Sequence, residues 1–203
     1  MMAGQFEALP GGGAAVALDE VEISILRSLA VQLLELIGPG DEPAEGEDPL
    51  AALFAEGPSE PPSDPALARL FPDAYARPEA ERGADGAEDE ELRELSAEFR
   101  RFTENELRAR KRDDVLAVVR SLDALTVTGE GGAVLKLTAE DSLHWLGALN
   151  DLRLTIGTRL QVTDDDETGD LYRLPDSDPR KPMVMAYLWL GALQETLVET
   201  LTP

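Results

Sequence analysis

Between Glu88 and Leu125 the chain has neither glycine nor proline, although 17 glycines and 14 prolines punctuate the rest of it. A run of that length without either residue contains nothing that breaks a helix, and its Leu, Glu, Arg and Ala content favours one. Leu92, Leu95, Phe99 and Phe102 step by three, four and three, the spacing of one helical face. At Thr103-Glu104-Asn105-Glu106 the phase shifts and a capping signature appears. Two helices meeting near Thr103 is the preferred reading, with one long bent helix as the alternative.

The remaining elements carry their own punctuation. Asp19 with Glu22 three positions on reads as a capping box. Behind it Ile25, Leu26, Leu29, Leu33, Leu36 and Ile37 form one apolar stripe until Gly38-Pro39-Gly40 stops the helix. Ahead of it, apolar residues on either side of Pro10 and Gly11–Gly13 predict a short hairpin or a single strand after a flexible start. Asp64 before Pro65 predicts a short helix over Pro65–Leu70. Thr138 caps a helix running to Gly157, with Leu143, Leu146, Leu149 and Ile156. Pro182 opens the last helix, whose apolar face is Met185, Leu188, Trp189, Ala192, Leu193 and Leu197. Thr126–Thr128 and Val134–Leu137 flank Gly129-Glu130-Gly131-Gly132, a turn signal between β-prone runs. One internal echo stands beside that hairpin: Gly12–Asp19 and Gly131–Thr138 both read as strand, cap, helix, which would set two strands side by side. Capped helices preceded by Val/Leu runs are common enough to leave both readings open.

Two stretches are different material. Residues 38–65 hold seven prolines, and seven carboxylates lie between Asp41 and Glu60 with no Lys or Arg among them. Such segments cannot bury enough apolar surface to offset their ordering entropy. The expectation is mobile acidic loops at 38–63 and 163–181, with Leu50–Phe54 forming one helical turn and 77–88 a further loose stretch. The predicted fold is therefore mainly α: about five helices in a single domain over residues 1–203, one small β-hairpin or two-stranded sheet, and long acidic loops.

Charge excludes several classes of function. With 41 acids against 18 Lys plus Arg, the formal net charge is −23, which opposes unaided binding to DNA, RNA or anionic lipid. The absence of cysteine removes disulfides, thiolate nucleophiles and Cys-ligated zinc. The first basic residue is Arg27 and no apolar run approaches about 18 residues, so a soluble cytoplasmic protein without membrane contact is expected.

Candidate chemistry is thin. His144 is the only histidine; a histidine base needs an orienting carboxylate and usually a nucleophile, and Ser142 points to another helical face. Asp164, Asp166 and Thr168 fall at the first, third and fifth positions of a calcium loop, but Pro175 occupies the position of the bidentate Glu. Gly129-Glu130-Gly131-Gly132 leads into a strand, and Glu130 would repel a phosphate. No catalytic residue, metal site or cofactor is expected. Positive charge clusters instead: seven of the 18 basic residues lie between Arg93 and Arg112. On one continuous helix Arg100, Arg101, Arg108, Lys111 and Arg112 share an arc with Glu104, which suits either a salt-bridged face or a strip that docks an acidic partner or the chain's own acidic loops. Asn150, Asp151, Arg153 and Arg159 mix charge into an apolar helix end and read as a structural network reaching neighbouring elements.

Four motifs carry a family resemblance: Asp64-Pro65-x-Leu67-x-Arg69-Leu70-Phe71-Pro72-x-Ala74-Tyr75; Glu98-Phe99-Arg100-Arg101-x-Thr103-Glu104-x-x-Leu107-Arg108; Leu149-Asn150-Asp151-Leu152-Arg153-Leu154-x-x-Gly157-Thr158-Arg159-Leu160; and Tyr187-x-Trp189-Leu190-x-x-Leu193-Gln194-Glu195. Together the chain resembles the actinomycete oxidative-stress regulator (AosR) family over nearly its whole length. The resemblance implies a non-catalytic regulator of transcription under oxidative stress, whose partner is a sigma factor or RNA polymerase. It also implies, through gene neighbourhood, the alternative of an adaptor linked to Clp proteolysis; direct DNA binding is the third reading. Redox sensing in that family relies on cysteines, and this chain has none.

Overall fold

The computed structural model describes residues 4–39, 56–75, 86–126, 131–162 and 173–202. The Leu50–Phe54 turn, the calcium-like run at 164–170, all but Thr126 of the strand expected at Thr126–Thr128 and much of both acidic loops lie outside the described residues, as does most of 77–88.

The architecture is mainly α. Among the described residues, five helices, α1 (Glu20–Ile37), α2 (Pro65–Leu70), α3 (Gly86–Asp123), α4 (Ala139–Arg159) and α5 (Lys181–Leu201), accompany three short strands, β1 (Glu7–Ala8), β2 (Ala14–Asp19) and β3 (Gly132–Leu137). The strands form one antiparallel sheet in the order β1-β2-β3.

Two strand–cap–helix units organise the chain. Asp19 ends β2 and caps α1: the Glu22 N–H donates to Asp19 Oδ1 at 2.7 Å, and the Asp19 N–H donates to Glu22 Oε2 at 2.9 Å. Thr138 follows β3 and caps α4 in the same reciprocal way with Asp141. The two strands pair over all six positions, from Ala14↔Leu137 to Asp19↔Gly132. Strand β3 thus pairs with β2, more than a hundred residues away, while the turn expected at Gly129–Gly132 lies partly outside the described residues. This pairing buries Val16, Leu18, Leu135 and Leu137 against the helices. The third strand, β1, makes with β2 the short hairpin expected across Pro10 and Gly11–Gly13. Gly11, Gly12 and Gly13 all adopt positive φ, which lets Glu7–Ala8 fold back onto Ala14–Ala15.

The long helix differs from the expectation of two. Thr103 starts no second helix; its hydroxyl donates to the Phe99 carbonyl at 2.8 Å inside an unbroken α3. At about 1.5 Å per residue, α3 is about 57 Å long. The phase shift has another cause. Leu95, Phe99 and Phe102 face solvent, 42%, 47% and 68% exposed, while the inward face of the first half is Ser96, Arg100 and Glu104. Only further along, at Val115, Val118 and Leu122, does α3 turn an apolar face to the core.

Helix α4 is the hub, packed upon by α2, α3 and α5. Trp145 sits at its centre, buried, with its indole N–H donating to Ser121 Oγ on α3 at 3.0 Å and Phe6 edge-on at 6.0 Å. No helix among the described residues is long and apolar enough to cross a membrane.

Candidate functional site

The most unusual chemistry of the fold lies on the inward face of α3, where charge replaces apolar packing. Arg100 and Glu104 are one turn apart, the spacing at which opposite charges meet on a helix. Arg100 donates from both terminal nitrogens to the Phe71 carbonyl at 3.1 Å, from Nη2 to Asp73 Oδ1 at 2.8 Å, and from Nη1 to Glu104 Oε2. The other oxygen of Glu104 accepts from Arg108 Nη2 at 2.6 Å. Burial works against the charge of Arg100, but the bonds from Asp73 and Glu104 outweigh it and hold the guanidinium pKa above its ordinary value.

Farther along, Arg108 and Arg112 close the end of α1. The last carbonyls of a helix have no partner within it; here the Ile37 carbonyl accepts from Arg108 and the Gly38 carbonyl from Arg112. Both cations stand at the negative end of the α1 dipole. The Arg108 guanidinium also lies over the Phe71 ring, 4.4 Å from its centroid.

A second cluster joins α3 to α4. Lys111 Nζ donates to Asp151 Oδ1 at 2.7 Å, and Asp151 is 2% exposed. Burial pushes the Asp151 carboxyl up, Lys111 and Asn150 oppose the rise, and the nearby charge of Asp114 adds to it. Asp114 in turn meets His144, Oδ1 to Nδ1 at 2.7 Å. Gly147 makes room for that carboxylate: a Cβ there would stand 2.5 Å from Asp114 Oδ2. A carboxylate on Nδ1 is the orienting half of a general-base arrangement. Ser142 does not supply the other half, because its hydroxyl donates to the Thr138 carbonyl at 2.7 Å. No group of three or more His, Asp and Glu side chains among the described residues could hold a metal ion.

The structure distributes the sequence-derived residues as follows. Arg100, Arg108, Lys111 and Arg112 turn toward the chain's own acceptors. Arg101, its side chain 39% exposed, pairs with Glu56 and lies 5.8 Å from the Phe102 ring centroid. As placed, the strip presents Arg101 outward and keeps the other four inside or half-buried. Asp151, Arg153 and Arg159 each reach a different element. Asp151 meets α3; Arg153 donates to Gln194 on α5 at 2.6 Å and lies over Tyr187; Arg159 reaches Asp64, the N-cap of α2, at 3.2 Å. Asn150 stays exposed beside Asp151.

Sequence reasoning passed over Asp73, Asp114 and Phe71. Glu104 lies four residues from each of its arginines, so that part was legible. Asp73 is 27 residues from Arg100 and Asp114 is 30 from His144, and nothing local marks either pair.

A family model described as a domain of unknown function (DUF2017) matches residues 3–201. The oxidative stress regulator AosR of Mycobacterium tuberculosis is 32% identical over 179 residues, covering 87% of this chain and 77% of that protein. The protein of the same name from Mycobacterium bovis matches to the same extent, 32% over 179 residues. No solved structure matches the chain.

Proposed function

The chain belongs to the DUF2017 family, and from that premise we propose that it is a non-catalytic regulator of transcription in the oxidative-stress response, acting through contact with a sigma factor or RNA polymerase. The observation that carries this reading is the name of its relatives, oxidative stress regulator, at 32% identity over 87% of the chain.

The geometry supports protein contact over the competing classes. A DNA reading needs clustered free cations, and Arg100, Arg108, Lys111 and Arg112 are engaged with Phe71, Asp73, Glu104, Ile37, Gly38 and Asp151. A hydrolase reading needs a nucleophile beside the base, and the hydroxyl of Ser142 is engaged by the first turn of α4. Because the chain has no cysteine, its oxidant input enters through a partner or through a group other than a thiol.

The test is co-purification of the tagged chain from oxidant-treated and untreated cells. Recovery of a sigma factor or of polymerase subunits in either state is expected; recovery of neither would sink the reading. A mobility-shift assay at about 150 mM salt is expected to show no complex with DNA.

A further inference from the structure

Arg153 is a partly buried cation without a countercharge. Among the described residues Arg100, Arg101, Arg108, Lys111, Arg112 and Lys181 are the other cations that are not exposed. Each of them meets a carboxylate or a main-chain carbonyl. Arg153 meets neither. Its guanidinium lies 5.4 Å from the Tyr187 ring centroid and donates from Nη1 to Gln194 Oε1 at 2.6 Å. Between those two residues it passes close over Gly191, where a Cβ would lie 3.5 Å from Nε. Nε itself is buried and has no hydrogen-bond partner. A guanidinium with one neutral acceptor retains donors for a carboxylate.

The acceptor it lacks is present on the same surface. Arg153 lines an open groove of about 590 Å3 together with Leu188, Ala192, Glu195, Val198 and Glu199 of α5. Glu195 and Glu199 are exposed and form no ion pair among the described residues. The outer face of α5 beside them is apolar. Met185, Leu188 and Ala192 step by three and four along it, and Met185 and Val198 are 54% and 42% exposed. Gly191 and Ala192 add little bulk, which lets a second helix approach closely. A surface that carries an unpaired cation, unpaired carboxylates and an apolar strip is complementary to itself.

We propose that the chain forms a two-fold dimer in which α5 packs antiparallel against α5 of a second copy, with Arg153 of each paired to Glu195 of the other. A two-fold contact satisfies both charges at once, because each copy supplies what the other lacks. A different acidic protein would neutralise Arg153 and leave Glu195 unpaired. With the axis at Ala192 and a rise of about 1.5 Å per residue, Glu195 of the second copy lies about 3 Å along the helix from Gly191, and Glu199 about 9 Å, which selects Glu195. The net charge of −23 opposes association at long range. At about 150 mM salt that repulsion is screened beyond about 8 Å, a distance longer than an ion pair across the interface. The dimer goes beyond the regulatory reading and does not depend on it.

The test is the mass of the full chain by sedimentation equilibrium at about 150 mM salt, from about 1 to about 100 µM. A mass approaching twice 21.9 kDa at the upper end, falling on dilution, is expected. Glu195→Arg, at an exposed position, should weaken association at least about tenfold by setting like charges opposite each other. Ala192→Gln should weaken it by adding bulk at the axis. Arg153→Glu should behave as Glu195→Arg does. An equimolar mixture of the Arg153→Glu and Glu195→Arg chains should recover wild-type association, since every charge then meets its opposite. A role for Arg153 within its own chain alone gives no such rescue, so folded variants that stay apart when mixed overturn the pairing. If Arg153→Glu fails to fold, Glu195→Arg and Ala192→Gln decide the matter between them. A monomer throughout the range overturns the proposal. So does a dimer indifferent to Glu195→Arg and Ala192→Gln, which places the contact elsewhere, and so does assembly that continues past two copies.

Discussion

Arg100 and Glu104 stand one turn apart on α3, ion-paired to each other and buried, 5% and 3% exposed. A charged pair this deep is held by geometry: Phe71, Asp73 and Arg108 occupy further acceptor and donor positions around it. The pair joins the loop after α2 to the middle of α3, beside the edge-on contact of the Tyr75 and Phe99 rings at 6.1 Å. Replacing Glu104 with Gln leaves the Arg100 and Arg108 guanidinium groups without their shared countercharge. The expected cost is about 3 kcal/mol, since breaking one half of a buried ion pair strands the other. Urea unfolding of Glu104→Gln beside wild type measures it, and a change within about 0.5 kcal/mol would show that the pair contributes nothing net.

Asp151 has a pH signature of definite sign. Its carboxyl is pushed up by burial, so the folded chain binds this proton more tightly than the unfolded chain. A group of that kind contributes stability below its unfolded pKa, near about 4, and loses it as pH rises through the raised folded value. Asp151→Asn removes the contribution. Stability of the variant relative to wild type should therefore increase with pH in denaturant titrations at about pH 4.5, 5.5 and 6.5. A relative stability that decreases over that window would contradict the direction.

Gly12 and Gly13 separate backbone strain from steric exclusion. Both have positive φ, +99° and +89°. A Cβ on Gly12 meets nothing within 4 Å, whereas one on Gly13 would overlap the Leu137 carbonyl oxygen of β3. Gly12→Ala should cost about 1–2 kcal/mol from strain alone. Gly13→Ala should cost clearly more, because β2 and β3 must separate at the Ala14↔Leu137 pair. Thermal melts of the two variants check the order, and equal losses would refute it.

Phe102 and Val115 test the inverted face of α3. Phe102 is 68% exposed and Val115 fully buried. Phe102→Ser should change stability by less than about 0.5 kcal/mol, and Val115→Ala should cost about 1–3 kcal/mol. A large loss on replacing Phe102 would mean that its ring is covered in solution.

Much of the fold was legible because its signals are local. Asp19 with Glu22, Asp64 with Pro65 and Thr138 place three helix starts where the capping bonds form, since a cap is decided within four residues. The echo of Gly12–Asp19 and Gly131–Thr138 contained the β2–β3 pairing, although the glycines at 129–132 made a local hairpin equally plausible.

The site was legible only where its partners are neighbours on one helix. Arg100, Glu104 and Arg108 repeat at four-residue spacing, and their shared arc follows from helical geometry alone. Whether that arc meets solvent or protein does not follow. On α3 the usual rule that apolar residues point inward reverses between Leu95 and Phe102, because the loop carrying Phe71 and Asp73 offers carbonyl and carboxylate acceptors to the arginines.

The sequence by itself determined where three of the helices begin, that the fold is mainly α, that it has no thiol chemistry and that its field is strongly negative. Those properties depend on residues a few positions apart, or on composition. Tertiary structure alone decided that Arg100, Arg108, Lys111 and Arg112 of α3 turn to the chain's own acceptors, and that Asp114 meets His144. Each joins elements tens of residues apart, and such contacts are selected by the packing of the whole chain, in which burial and charge pairing are satisfied together.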